Sequence, residues 1–485
     1  MRCAHSSRVI VLLTLGCTSP PASLSGASPV LTHGVAVGSV AATNAVAWGR
    51  CDRATTVTVR WQADGGGDRE TAQVTATSEH DFIGKIALDG LRSATAYSYW
   101  IWCGDNESAA RAGHFSTAPE PEQVAPVRFV FGGDLGGQNV CRDRQQGYPI
   151  FHTVRAAEPD FFVALGDLIY ADDPCKAVGR FGNEQIAGPP TPATNRAVFR
   201  DYWKYNRTDR AFQQMLASTS MYSVWDDHEI KNDAGPKQDT PVFEPGSHLL
   251  QPALHAFLEY QPMLPPAGAP ERLYGSFRWG RHLEIFILDL RQYRDANIAP
   301  DSAAKPKTML GDDQRRWLLD ALRRSDATWK VIVSSVPLSV PTGTLLIGHD
   351  GWTGSGVGDG FEHERDAILR TMQKSTPRNF VWITTDVHFG AVFRYRPFAG
   401  DEQFAFHEMI SGPLNAGVFP KEEYDRQLGA ERLILYGPTQ PIADFEEALR
   451  WFNFGLIEIN EKGALTAKLI NGRAEAVYAI TVDPP

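Results

Sequence analysis

Residues 161–172 read Phe-Phe-Val-Ala-Leu-Gly-Asp-Leu-Ile-Tyr-Ala-Asp: an unbroken apolar run enters Gly166-Asp167, and a loop carrying Tyr170 and Asp172 follows. A run with no polar face reads as a strand covered on both sides. The same order of apolar run and acidic loop recurs. Residues 127–132 lead into Gly133-Asp134, residues 223–225 close on Asp226-Asp227-His228-Glu229 with Asn232 just after, and residues 380–384 lead into Thr385-Asp386-Val387-His388. Helical patterns at 149–157, at 314–323 behind Asp312 or Asp313 as cap, and at 362–372 alternate with these runs and with further apolar runs at 283–288 and 330–334. Strand, loop and helix in repetition predict a layered α/β domain, in which ligands sit at the carboxyl ends of the strands.

Four acidic loops at successive strand ends are also a chemical statement. Carboxylates gathered at low dielectric must take up protons unless a cation neutralises them, so their convergence predicts a metal. Aspartate, tyrosine and asparagine oxygens are hard donors suited to Fe³⁺, Mn²⁺, Ca²⁺ or Mg²⁺; few histidines and no cysteine at these points argue against an all-zinc site.

Upstream, residues 29–118 form a series of short alternating segments at 44–48, 56–61, 71–77, 82–88 and 97–102. They are separated by turns such as Asp64-Gly65-Gly66-Gly67 and Asp89-Gly90, which is the spacing of a small all-β sandwich. Residues 119–126, rich in Pro and Glu, read as a linker to a catalytic domain over 127–485. Residues 1–28 read as a leader and short tether: Arg2 and Arg8 precede an apolar run over 9–15 that is too short to span a bilayer. Thr14-Leu15-Gly16-Cys17 is similar to a lipoprotein cleavage box with Cys17 as the lipidated residue, and cleavage between Ser19 and Ser28 is the alternative. The expectation is an exported chain, whether periplasmic, a cell-surface lipoprotein or secreted. Cys51, Cys103, Cys141 and Cys175 then form two disulfides; three pairings exist, and the domain division favours Cys51 with Cys103 and Cys141 with Cys175.

The chain has 485 residues, 43% hydrophobic and 11% aromatic, which accommodates two or three units and excludes wholesale disorder. A formal charge of −10 with no basic run excludes a sequence-independent grip on nucleic acid.

The block GDLIYAD (166–172) resembles the calcineurin-like metallophosphoesterases, purple acid phosphatases in particular. WDDHE (225–229) with Asn232, LDLRQYR (288–294), LGDDQRRWL (310–318), WKVIVSSVPLS (329–339) and the Thr385-Asp386-Val387-His388 block resemble, in that order, the PhoD-like alkaline phosphatases and phosphodiesterases. LRSATAY (91–97) resembles the tyrosine corner of immunoglobulin/fibronectin type III sandwiches, where the Tyr hydroxyl ties a loop to the backbone. The resemblance implies a layered β-sandwich flanked by helices, preceded by the small sandwich.

It further implies Asp167 as the carboxylate bridging two metals, Tyr170 as an Fe³⁺ ligand, and Asp227, Asp226 and Asn232 as oxygen ligands of a divalent partner, with Asp386 and His388 completing the cluster. Asp226 as a helix cap or hydrogen-bond acceptor, and Asn232 as a turn residue, are the plain alternatives. Fe³⁺ and Ca²⁺ are the expected pair, with Mn²⁺, Mg²⁺ or Zn²⁺ as alternatives at the second position. His228 is placed to contact phosphate or protonate the leaving group, and Arg291 to clamp phosphate, its alternative being an ion pair with Asp289 or Asp295. Two departures stand out. PhoD relatives commonly carry Cys where this chain has Asp134, an Asp in the wider superfamily and so still a metal ligand. Thr385 replaces a usual Gly, and its Cβ is expected to narrow the approach to the metals. The Pro- and Gly-rich stretches 175–192 and 235–270 are expected to form the pocket rim.

The function so implied is hydrolysis of small-molecule, lipid or polymer phosphate esters by metal-activated hydroxide in a monomer that touches membrane only through a lipid anchor. The alternatives are a phospholipase D-like or teichoic acid-directed phosphodiesterase, or, in another class, a non-catalytic surface-binding protein holding structural Ca²⁺.

Overall fold

The computed structural model describes residues 28–237, 247–343, 348–354, 358–375 and 379–484. The expected leader, with Cys17, lies outside the described residues apart from Ser28.

Alternation of side chains along the strands of one sheet explains how the layers form. In the Leu283–Ile287, Trp329–Val333 and Phe380–Thr384 strands, Ile285, Ile287, Val331, Val333, Val381 and Ile383 share a core with Phe129, Phe131, Phe161 and Val163 of a second sheet. The intervening Phe286, Ile332 and Trp382 pack with Leu318 and Leu322 of the Gly311–Arg324 helix and with Ile368, Leu369 and Met372 of the Glu362–Ser375 helix. Successive residues point to opposite faces of a strand, so one sequence feeds two apolar layers. The result is the layered α/β arrangement.

Among the described residues this sheet has seven strands, in the order Gly275–Trp279, Leu283–Ile287, Trp329–Val333, Phe380–Thr384, Phe406–Ile410, Gly390–Tyr395, Glu431–Tyr436. The strands from Leu283–Ile287 to Phe406–Ile410 are mutually parallel. The sheet facing it carries Val127–Gly132, Phe161–Ala164 and Ser220–Ser223, also parallel, with the register Phe129↔Phe161↔Ser220. An antiparallel meander of Asn453–Ile459, Leu465–Asn471 and Ala476–Val482 extends one side. Two bundles of parallel strands thus direct their carboxyl ends to the same rim of the sandwich.

The N-terminal segment is a β-sandwich whose two layers belong to different sheets. Glu70–Ala76, Thr55–Ala63, Ala96–Cys103 and Arg111–Ser116 make a four-stranded sheet. Leu31–Gly38, Asn44–Cys51 and Ile83–Asp89 instead continue the catalytic sheet, joined where Gly38 pairs in parallel with Met221. Cys51–Cys103 ties the two layers together. The tyrosine corner is formed, with the Arg92 backbone N–H donating to Tyr97 Oη at 2.9 Å. Trp48 Nε1–H donates to Glu259 O at 2.9 Å, and the Arg207 guanidinium lies 4.7 Å from the Trp48 ring, so the sandwich is also sealed laterally onto the Leu250–Tyr260 and Arg196–Arg207 helices.

Those two helices and Arg210–Ser218 escaped the sequence reading, although Asn195 and Asp209 cap Arg196–Arg207 and Arg210–Ser218. The expected cap of the Gly311–Arg324 helix is corrected as well. Asp312 and Asp313 lie inside its first turn, where they favour the positive end of the dipole, and Glu364 of the neighbouring helix accepts from the Met309 and Leu310 N–H groups ahead of it.

Candidate metal centre

The acidic loops are drawn together by glycines that let backbones touch. A Cβ on Gly166, whose φ is +112°, would lie 2.6 Å from Asp226 Cβ, and one on Gly412, at φ +146°, would lie 2.2 Å from Asp134 Oδ2. Asp134, Asp167, Asp233, Asp386 and His388 all sit at positive φ, between 52° and 74°. Left-handed backbone at non-glycine residues is unfavourable, and its concentration at one rim is the signature of geometry held for chemistry.

Five of the buried carboxylates are half satisfied. Asp134 Oδ2 accepts from Thr385 Oγ1 (2.8 Å), Asp167 Oδ1 from His228 N (3.2 Å), Asp227 Oδ2 from Asp233 N (2.5 Å), Asp226 Oδ1 from Ser335 Oγ (2.6 Å) and Arg291 Nε (2.5 Å), and Asp350 Oδ2 from Arg291 NH1 (2.9 Å). The other oxygen of every one of the five is buried without a hydrogen-bond partner. Buried polar atoms are ordinarily satisfied, so five orphaned oxygens at one rim fit a cation. Among the described residues, three groups present ligand atoms within 4.8 Å of one another: Asp167, Asp227 and His228; Asp226, Asp227 and Asp386; Asp227, Asp233 and Asp350. Asp227 belongs to all three.

Tyr170 and His388 complete one side. His388 Nδ1 lies 2.7 Å from Gly417 O, which can only accept, so Nδ1 carries the proton and Nε2 offers its lone pair 2.9 Å from Tyr170 Oη. A histidine fixed through its far nitrogen is the usual form of a metal ligand. Burial holds His388 neutral, its pKa lowered to about 3. Burial, reinforced by neighbouring carboxylates, pushes Tyr170 and Asp386 well above their ordinary ranges, Asp134 up to about 7 and Asp226 up to about 6. Tyr170 and Asp386 so placed ionise at neutral pH only beside added positive charge.

His228 stacks on Tyr170 with ring centroids 4.1 Å apart, and its Nδ1 is 2.6 Å from Asp172 Oδ1. Burial opposes its charge, but Asp172, Asp227 and Asp167 outweigh that and raise its pKa well above the ordinary value. Asn232 is exposed at the pocket wall, with its backbone N–H on Asp172 Oδ2.

Three expectations are corrected. Arg291 does not face the pocket: it is fully buried behind the carboxylates, on Asp226 and Asp350, and pairs with neither Asp289 nor Asp295. Its charge is spent holding the acidic cluster in place. Thr385 does not narrow the approach, because its side chain is buried and donates to Asp134. The stretch 235–270 supplies none of the described lining residues, with 238–246 outside the described residues, and 175–192 reaches the rim only where Arg180 packs on Phe419. The rim comes instead from Gln138, Asn232, Thr342, Gly343, Phe419 and Lys421. Cys141–Cys175 braces the loop behind Tyr170, both sulfurs lying near Gly136 O.

Glu229 escaped the sequence reading although it lies inside the WDDHE block. Its buried carboxylate accepts from the backbone N–H of Asp167 (2.9 Å), Leu168 (2.7 Å) and Asp226 (2.8 Å), clipping two site loops together. Glu229→Gln turns an amide N–H against one of these donors. We expect metal affinity to fall about 10- to 100-fold with the fold kept, measured by metal titration and circular dichroism; unchanged affinity would refute the clip.

Residues 131–469 match the family described as PhoD-like phosphatase, and residues 16–119 match PhoD-like phosphatase, N-terminal domain. Alkaline phosphatase D of Bacillus subtilis (strain 168) is 26% identical over 322 residues, covering 62% of this chain and 52% of the relative, so the match spans about half that protein's length. A solved structure of PhoD superposes with TM-score 0.75 at 19% identity, covering 94% of this chain and 90% of that one. A purple acid phosphatase from yellow lupin (Lupinus luteus) seeds gives TM-score 0.57 at 12% identity, covering 94% and 74%. The order of acidic loops, the layered sheets and the match over most of its length together place this chain in the PhoD-like phosphatase family.

Proposed function

We propose that the protein hydrolyses phosphate esters at a centre of two or more cations. The observation that carries this is the set of five half-satisfied carboxylates beside the Tyr170–His388 pair. Asp134, Asp167, Tyr170 and His388 would hold Fe³⁺, because a phenolate and a neutral imidazole suit a ferric ion and serve no structural Ca²⁺. Asp227, Asp226 and Asp386, with Asn232 at the wall, would hold Ca²⁺ or another hard divalent ion, and Asp167 would bridge the two. When bound, the cations supply positive charge for the phosphoryl oxygens and bring a water's pKa toward neutrality. His228, anchored through Nδ1 by Asp172, keeps Nε2 to protonate the departing alkoxide. Arg291 and Glu229 hold the loops so that the ligand oxygens need not reorganise.

Two disulfides support the reading of an exported protein, and among the described residues no helix is long and apolar enough to cross a membrane. The test is hydrolysis of bis(p-nitrophenyl) phosphate and p-nitrophenyl phosphate, side by side, before and after chelation and with Ca²⁺ restored. Faster turnover of the diester, lost on chelation and recovered, supports a phosphodiesterase of lipid headgroups or teichoic acid-like polymers. Preference for the monoester supports a phosphatase. No turnover of either refutes the reading in favour of a Ca²⁺-stabilised binding protein.

A further inference from the structure

The pocket over the acidic cluster encloses about 270 Å³. That is small beside cavities that enclose a drug-sized ligand, so an ester larger than its phosphoryl group extends across the mouth. The mouth has a composition of its own. Five carboxylates line the pocket, from Asp167, Asp227, Asp233, Asp350 and Asp386, and Lys421 is the one Lys or Arg among the described lining residues. On Phe419, another lining residue, the Arg180 guanidinium lies 4.8 Å from the ring centroid. Among the described residues no carboxylate pairs with Lys421 or Arg180: Lys421 Nζ touches only Pro341 O, at 3.3 Å, and the neighbouring Glu422 is taken by Arg432.

The lip they form is tied to the metal centre. Gly417 N donates to Gln138 Oε1 (3.2 Å), Gly417 O accepts from His388 Nδ1–H, and Phe419 N donates to His388 O (3.2 Å), so the 417–421 turn is fixed relative to a proposed ligand. Uncompensated cations on a chain of net charge −10 mark where a substrate's own charge belongs, because an anion approaching the acidic rim is otherwise repelled.

We propose that Lys421 and Arg180, gathered around Phe419, bind a second, non-reacting anionic group of the substrate, so that the site selects phosphate esters whose alcohol portion carries a further phosphate or carboxylate. This rests on the phosphoesterase reading above. The test compares propyl phosphate with propane-1,3-diyl bisphosphate on the metal-loaded protein, as competitors of bis(p-nitrophenyl) phosphate hydrolysis and, independently of turnover, by calorimetry. The wild type is expected to bind the bisphosphate about fivefold more tightly at low ionic strength, an advantage that shrinks as salt is added. Lys421→Glu with Arg180→Glu should abolish the advantage, and Lys421→Gln alone should reduce it; both residues are exposed, so the fold is not at stake. Equal affinity for the two ligands in the wild type, or an advantage that survives the double substitution, would overturn the proposal. An advantage seen by calorimetry in a protein that hydrolyses no ester would keep the lip and refute only the activity.

Discussion

Asp227→Ala is expected to lower kcat/KM by about 1,000-fold or more and to strip metal from the purified protein, while circular dichroism stays close to wild type and the thermal transition falls toward that of the chelated wild type. The expectation follows from position. Asp227 is the member common to all three ligand groups, and its Oδ1 is buried without a hydrogen-bond partner. Loss of a shared ligand removes several kcal/mol of charge stabilisation in the transition state, and each 1.36 kcal/mol is tenfold in rate. The fold should survive because Asp227 lies in a loop beyond the Ser220–Ser223 strand, and its Oδ2 holds the single Asp233 N–H. Metal analysis alongside kinetics decides the matter: a variant with full metal content and full activity would remove Asp227 from the centre.

Removing the metals should both destabilise the protein and change how its stability responds to pH. Cations that bind only the folded state stabilise it by mass action, about 4 kcal/mol when present at 1,000 times their Kd. In the chelated protein, burial raises Asp134 from 3.8 to about 7 and Asp226 from 3.8 to about 6, with neighbouring carboxylates adding to the effect on both. Between the ordinary and the raised values the folded chain holds protons that the unfolded chain has released, so its stability falls as pH rises. That contribution is complete below pH 3.8 and lost as pH passes 6 to 7. Bound cations keep the same carboxylates ionised, and their affinity grows with pH as competing protons leave. Chelated protein is therefore expected to melt lower at pH 8 than at pH 5.5, with the gap between loaded and chelated forms widening toward pH 8. Thermal melts of both forms at the two pH values check this, and parallel pH dependence would show that the carboxylates do not carry the metals.

Asp134, Asp167, Tyr170, Asp227, His228, Asp386 and His388 were legible in the chain because each lies within a few residues of the end of an apolar run. Backbone alternation and turn chemistry over such short spans are local properties. The tyrosine corner at Tyr97 was legible through the resemblance carried by LRSATAY (91–97), and the runs that became the Val127–Gly132 and Phe380–Thr384 strands through their local apolar pattern. What needed the folded molecule was every relation between distant segments. Asp350 follows only the three-residue apolar stretch 345–347, too short to read as a strand in the sequence, and it joins the site where Arg291, 59 residues away, pairs with it. Arg291 looked like a substrate clamp in sequence, yet packing of the two sheets buries it behind Asp226, where its charge balances carboxylates instead of binding phosphate. Glu229 acts on the amides of a loop 61 to 62 residues earlier, and Gly38 meets Met221 to fuse the N-terminal strands to the catalytic sheet. Local periodicity determines where strands end and which chemical groups stand there. Which ends meet is decided by apolar faces that can be buried only against one another, and that burial is a property of the whole chain.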